Sequence, residues 1–369
     1  MNKIMINILK ILSYFFKKNK KFLFLTDDVT PRLNKICKAL DEVDFPYKII
    51  LIKGTSGQSN SSFVKDGSLL VNKSFFGYLK LLKLKGSTAH LIINSELEFY
   101  NNLINLKIFK CFVDIYDHKF LYKENQSINS QKILEDKILR ECDGIISRSL
   151  GLKYKNKNKI YKKRKILFLD YSGVENFQRQ IIKKKYYNLL IIFPRWNSLS
   201  IYKNLEYIFS LLLKQQFNIY LILNPKNIDE LKILKEKNNF RNIHPLNFEE
   251  YETYKKNLKN IDVYLWISIN ELVDNNSKDY VYKLSMHKYA SSNRIYEMIE
   301  RNIFSASPKI TKFDSFILNR YSHSYIYENL DDLKNLRLEF EKKIGAKSKD
   351  ISKILIKNNL NRLIKFYEA

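Results

Sequence analysis

The chain has 369 residues, 45% of them hydrophobic and 14% aromatic; this is too apolar for a disordered tail and too long for most single cores, so two domains of just under about 200 residues each are expected. Its 65 Lys and Arg against 38 Asp and Glu give a net charge of +27, which fits a polyanionic partner such as nucleic acid or an acidic membrane. Lys, Asn, Ile, Tyr and Phe are abundant while Gly, Pro and Trp are scarce, a joint skew that A- and T-rich coding sequence also produces, so charge alone assigns no partner.

Residues 1–20 form a basic amphipathic segment: Met1 to Phe16 is apolar with Lys3 and Lys10, and KKNKK follows from Lys17. It lacks the small-residue cleavage site of a secretory signal and the ~20 apolar residues of a spanning helix. Two readings stay open, a helix lying on an anionic leaflet and a helix packed on the domain that follows.

From Lys21 short apolar runs alternate with helical patterns. Phe22 to Leu25 reads as a strand, and Thr30-Pro31 supplies an N-cap and first-turn proline for a helix with Leu33, Ile36, Cys37 and Leu40 on one face. Strands are expected over 47–52, 89–93, 109–115, 145–149 and 166–169, and helices over 73–83, 96–106 and 131–142; the Gly- and Ser-rich stretch 53–68 reads as a long loop. Cys37, Cys111 and Cys142 are far apart with no CxxC or Cys/His cluster, so they read as small buried hydrophobes and no structural zinc is expected.

A charged connection, 172–185, precedes a second round of alternation. Strands are expected over 188–193, 217–223, 261–266 and 324–327, and helices over 201–213, 228–237, 248–258, 330–343 and 351–367. Near-continuous apolar strands between helices imply parallel sheets covered on both faces. The expected architecture is α/β: two Rossmann-like doubly wound domains, 21–175 and 186–345, facing a central cleft, with 346–369 a C-terminal helix returning to the N-terminal domain. In such sheets ligands bind outside the carboxyl ends of the strands.

The segment SSNRIYEMIERNIFSAS, from Ser291 to Ser307, carries the most information. Small polar residues lead into a short amphipathic helix with Glu297 one turn in, and an apolar strand follows. Backbone N–H groups at a helix start attract phosphate, and a carboxylate one turn in can accept both hydroxyls of a ribose. The alternative is an ordinary helix with Ile295, Met298 and Ile299 buried and Glu297, Glu300 and Arg301 in water.

This segment resembles the "K-hydrophobic-x-E-x-hydrophobic-A-x-G-x-P-V" element of GT-B fold glycosyltransferases, the group of bacterial surface-polysaccharide and lipopolysaccharide transferases. The resemblance implies that Glu297 binds the donor ribose, with Arg294 in the place of the common Lys and Ser292 and Asn293 at the helix start. In LLIIFPRWNSLSIYKNLEYIF, Arg195 and Lys203 match the family's two cations on the donor pyrophosphate, whose leaving-group charge they would stabilise. ILEDKILRECDGIISRS resembles the N-domain element that brings Ser147 to the cleft; Asp143 reads as a cap or turn. VDIYDHKF places Asp114, Asp117 and His118 where the family keeps acceptor-side acid or base residues, and a His beside carboxylates suits general base work. Asp27, Asp28 and Arg32 occupy the first strand-to-helix loop, which seats the acceptor.

The sequence also departs from the family. Pro194 replaces the glycine before Arg195, Asn302-Ile303-Phe304 replaces Gly-x-Pro, and Tyr289 stands where the retaining branch carries a second Glu. The resemblance implies a glycosyltransferase taking a nucleotide-diphosphate sugar as substrate, with a glycan or lipid-linked acceptor, no metal and no further cofactor, working in the cytoplasm or on the inner face of the plasma membrane. A GT-B sugar epimerase shares the same grip on the nucleotide, and an inactive scaffold of the same fold fits the lost glycines. Nucleic acid is not expected as a partner, because no recognition-helix, RNP or zinc-finger pattern accompanies the charge.

Overall fold

The computed structural model describes residues 3–18, 20–27, 30–53, 68–115, 118–119, 126–148, 150, 164–173, 177, 179, 181–193, 204–223, 227–246, 257–267 and 292–368. The chain divides into two compact units, Met1–Val174 with Ile354–Ala369, and Glu175–Lys353.

In the first unit α1 (Lys3–Ser13) precedes β1 (Phe22–Thr26), α2 (Pro31–Asp41), β2 (Lys48–Lys53), β3 (Leu69–Asn72), α3 (Phe75–Leu82), β4 (Thr88–Ile93), α4 (Leu97–Asn105), β5 (Lys110–Ile115), α5 (Gln126–Glu141), β6 (Gly144–Ser147) and β7 (Arg164–Leu167). The seven strands form one sheet in the order β3-β2-β1-β4-β5-β6-β7, and every pair is parallel. In the second unit β8 (Tyr187–Ile192), α6 (Leu205–Lys214), β9 (Phe217–Ile222), α7 (Ile228–Asn238), β10 (Ile243–Pro245), β11 (Val263–Leu265), α8 (Asn293–Glu300), β12 (Phe304–Pro308), α9 (Lys312–Tyr321), β13 (Ser324–Tyr327) and α10 (Leu336–Glu341) follow. Its sheet runs β10-β9-β8-β11-β12-β13, also all parallel. Both orders are doubly wound: the winding reverses between β1 and β4 in one sheet and between β8 and β11 in the other, and these switch points open crevices at the carboxyl ends.

The central strands β1 and β12 are entirely buried; β1 is apolar up to Thr26, and β12, FSASP, buries Ser305 and Ser307 among its small and apolar residues. Thr30 caps α2, its Oγ1 accepting from Leu33 N at 3.2 Å, with Pro31 in the first turn. Aspartates fasten strand ends to neighbouring segments. Asp143 accepts from Cys111 N at 2.6 Å, and buried Asp262 accepts from Asn188 N at 2.9 Å while holding Arg179 and Lys184 at 2.9 and 3.0 Å. All three cysteines are buried and none is in a disulfide.

The last helix, α11 (Ile356–Glu368), packs on α2 and on the first sheet. Phe366 stacks on Phe112 with centroids 5.2 Å apart, and Lys110 Nζ donates to Tyr367 O at 2.9 Å. Gly144 makes this approach feasible, since a Cβ there would lie 2.7 Å from Phe112 and 2.9 Å from Phe366. α1 turns Leu9 inward to full burial, with Ile6, Leu12 and Phe16 against the same core, so it packs on its domain. Its opposite face remains exposed.

Several elements differ from the expected pattern. β3 follows the loop as an edge strand with only Val71 buried, and β10 spans three residues; neither is long enough to show a period. α5 starts at Gln126, five residues earlier than expected, because its first turns carry polar residues. α6 starts at Leu205, where Asn204, at φ 65°, breaks the helical run. α9 was not expected at all. The expected helix 248–258 and the strand end at Ser149 fall largely outside the described residues.

Candidate functional site

The second unit's site is built on α8. The chain runs from the carboxyl end of β11 through residues 268–291, outside the described set, into α8, so in this parallel arrangement the helix starts at the carboxyl edge of the sheet. Ile295, Tyr296, Met298 and Ile299 are buried against the sheet, while Ser292, Asn293, Arg294, Glu297 and Glu300 are half-exposed on the other side. Ser292 is the N-cap residue, and its hydroxyl makes no cap hydrogen bond.

Two residues that the sequence did not single out hold this helix start. Asp314, fully buried in the first turn of α9, accepts from Ser292 N at 3.4 Å. Tyr264 of β11 is buried, and its hydroxyl is pushed up to about 12, chiefly by burial; the charges of Asp314 and Glu297 add to the shift and that of Arg294 opposes it. Arg294 and Glu297, three residues apart on one helix, are both half-exposed within its first two turns.

The family's glycine after the Glu has an explanation here. Asn302, which stands in its place, has φ 52° and closes α8, with Asn302 N donating to Ile299 O at 3.0 Å and Ile303 N to Met298 O at 2.9 Å. Asn is the side chain best suited to the left-handed region after glycine, so this departure conserves the geometry. Arg195, Lys203, Pro194 and Tyr289 lie outside the described residues.

In the first unit the expected acceptor residues divide into two groups. Asp27 ends β1 at the switch point, but both its oxygens are occupied: they accept from Asn94 N, Ser95 N and Glu96 N at 2.8, 2.6 and 2.8 Å. It ties the end of β1 to the β4–α4 turn. Asp28 and Asp117 lie outside the described residues. Arg32 is 1% exposed, and its guanidinium donates to Asp114 Oδ2, Asp170 Oδ1, Leu169 O and Phe168 O at 2.7–2.8 Å, which gives it and Asp114 a role in tying α2 to the sheet. Burial would raise the Asp114 carboxyl, but Arg32 and His90 outweigh that and hold it at about 2, which makes it a poor proton acceptor near neutral pH. The network extends from Asp114 to His90 Nε2 at 3.5 Å and from His90 Nδ1 to the Tyr367 hydroxyl at 2.7 Å, a structural link to α11.

His118, just past β5, is different. Its Nδ1 lies 2.8 Å from Glu135 Oε1, and Lys119 N donates to Glu135 Oε2 at 2.6 Å. Glu135 is fully buried on α5 and His118 is 7% exposed. A carboxylate only accepts, so His118 Nδ1 carries a proton toward Glu135, which fixes the orientation of the ring as in an oriented general base. Ser147 ends β6 nearly buried, its carbonyl accepting from Phe168 N at 2.9 Å.

Among the described residues no cluster of His, Cys, Asp or Glu has the arrangement of a metal site. A cavity of about 460 Å³ opens at the amino edge of the first sheet, between Phe22, Phe45, Tyr47 and Tyr367; it lies on the opposite edge from the carboxyl ends and plays no part in this site.

No family model matches the chain, and no curated protein sequence does. Solved structures do. The lipopolysaccharide outer core galactosyltransferase WaaB superposes with a TM-score of 0.60 at 9% identity, over 94% of this chain and 98% of its own. TarM does so with a TM-score of 0.64 at 10% identity, over 95% and 99%. The pneumococcal O-GlcNAc transferase GtfA, solved with UDP and GlcNAc, gives 0.59 at 8% identity, over 94% and 98%. With two doubly wound parallel sheets in sequence and this agreement over nearly the whole length, the chain has the GT-B fold of glycosyltransferases.

Proposed function

We propose that the chain is a glycosyltransferase that moves a sugar from a nucleotide-diphosphate sugar to a glycan or lipid-linked acceptor in cell-surface polysaccharide assembly, on the cytoplasmic side of a membrane. The observation that carries this reading is the start of α8. Peptide dipoles there favour the diphosphate, and Glu297, one turn in and half-exposed, is positioned to accept both ribose hydroxyls. Arg294, half-exposed in the first turn, adds a cation beside the same helix start. Arg195 and Lys203 are assigned by resemblance to the pyrophosphate. The presence of UDP in the GtfA structure supports a uridine diphosphate sugar as the first donor to test.

In the reaction, the bond from the sugar's anomeric carbon to the diphosphate oxygen breaks and a bond to the acceptor oxygen forms. The diphosphate leaves with the electron pair, and cations around it stabilise charge that grows toward the transition state. The acceptor hydroxyl's proton goes to Nε2 of His118, while Glu135 holds the ring and stabilises the imidazolium that results. His118 is the base in preference to Asp114, whose carboxyl is held at about 2.

A thermal-shift screen tests this reading. A ligand that binds only the native state raises its melting point by mass action, so UDP and one or more UDP-sugars are expected to raise it by several degrees. No shift with any nucleotide or nucleotide sugar would contradict the proposal.

A further inference from the structure

The first helix is apolar on both sides: one side packs on the domain and the other is exposed. Leu9 is fully buried and Ile6, Leu12 and Phe16 lie against the first unit's core. Ile4, Ile8, Ile11 and Phe15 point the other way, 65%, 42%, 61% and 80% exposed. Ile4, Ile8 and Ile11, at i, i+4 and i+7, form one stripe on the helix, and Phe15 is exposed in the turn that follows Ser13. Packing on the domain accounts for the inner face and leaves the outer stripe unexplained.

Its electrostatic setting is one-sided. From residue 1 to residue 26 there are six lysines and no Asp or Glu, and from Ser68 to Ser95 there are four lysines and again no acid. These two stretches meet in space: α1 packs against α3, Lys85 Nζ donates to Ser13 O at 2.7 Å, and its ammonium sits 5.7 Å over the Tyr14 ring. α3 adds exposed Phe76 with Lys80 and Lys83 on the same side, at i, i+4 and i+7. Exposed apolar side chains thus stand among cations with no interspersed carboxylate. A second copy of the chain does not suit this face, because self-pairing would press lysines against lysines.

We infer that α1, with the exposed side of α3, is a docking surface for an anionic phospholipid leaflet. The helix lies in the interfacial plane, Ile4, Ile8, Ile11 and Phe15 enter the acyl boundary, and Lys10, Lys17, Lys18, Lys20 and Lys21 meet the headgroup phosphates. The inference deepens the placement of the proposed transferase at a membrane, but stands on a surface remote in sequence from α8, so it can fail while the donor site holds.

The experiment is flotation of the full chain with vesicles of phosphatidylcholine alone and with phosphatidylglycerol added. Binding to the anionic vesicles, weakened by salt and absent on phosphatidylcholine, is expected. Ile8→Asp with Ile11→Asp should weaken it at least tenfold without changing the melting point or the nucleotide-induced shift. Replacing Lys17, Lys18, Lys20 and Lys21 by Gln should weaken it on the order of a hundredfold. Should the double Asp variant misfold, Ile11→Trp gives a second reading, a blue shift of emission on anionic vesicles. Binding unchanged in both sets of variants, no emission shift, a dimer formed through this face, or retention of RNA in place of vesicles would each overturn the inference.

Discussion

His118 and Glu135, 17 residues apart in sequence, meet at 2.8 Å, and the buried carboxylate fixes the orientation of the ring. His118→Ala is expected to lower kcat by about 10²-fold or more while leaving nucleotide affinity unchanged. Glu135→Gln should lower kcat and also move the pH profile, because the neutral amide no longer stabilises the imidazolium. Steady-state rates across pH check both, and a Glu135→Gln profile identical to that of the parent would show that the pair is only structural.

Arg32 and Asp114 are a buried ion pair within a network that includes Asp170 and His90, and removing either leaves a buried charge incompletely compensated. Arg32→Ala or Asp114→Ala should therefore cost about 3–5 kcal/mol, enough to unfold the first unit in many conditions. Chemical denaturation measures it. A loss of activity with full stability would assign these residues to the acceptor site.

Acid should destabilise the first unit in two stages. Burial lowers the pKa of His90, with Arg32 reinforcing and Asp114 opposing, so the unfolded chain takes up the proton first. Stability is present above the unfolded value of 6.5 and falls as pH drops below it. The Asp114 carboxyl, held at about 2 against 3.8 unfolded, contributes stability above 3.8 that is lost as pH falls toward 2. Melting temperature followed from pH 8 downward should show the first decline near pH 6.5, and His90→Gln should remove that stage.

Gly144→Ala should destabilise by roughly 1–3 kcal/mol, because the new methyl would meet Phe112 and Phe366 at 2.7 and 2.9 Å and push α11 off the sheet. The φ of Gly144 is not in the left-handed region, so contact alone drives the effect. An unchanged denaturation midpoint would mean that α11 shifts without cost.

The two sheets were legible because strands such as β1, β4, β5, β8 and β9 are short apolar runs and helices such as α2, α4 and α6 show their period. α8 was legible for the same reason: Ile295, Met298 and Ile299 mark its inner face and leave Glu297 outward. What local pattern cannot hold is long-range pairing. Asp27 and Asp28 read as acceptor-side residues of the first strand-to-helix loop, and only the arrival of the β4–α4 turn, 67 residues on, surrounds Asp27 with N–H donors. Arg32 and Asp114 are 82 residues apart, and alone they look like a solvated Arg in a first helical turn and a polar group near a strand end. Asp314 was hidden by the mixed composition of α9, where Asp and Arg interrupt the apolar period. The outer stripe of α1 was present in the sequence, but only packing tells the inner apolar face from the outer one.

The central claim is that a nucleotide diphosphate is held at the start of α8 with its ribose on Glu297. Calorimetric titration of UDP or its sugar conjugates into the chain and into Glu297→Ala tests it most directly. A charged acceptor bonded to the ribose hydroxyls contributes roughly 1.5–3 kcal/mol, so affinity should fall about ten- to hundredfold in the variant at unchanged melting temperature. Equal affinity in both proteins would contradict the account.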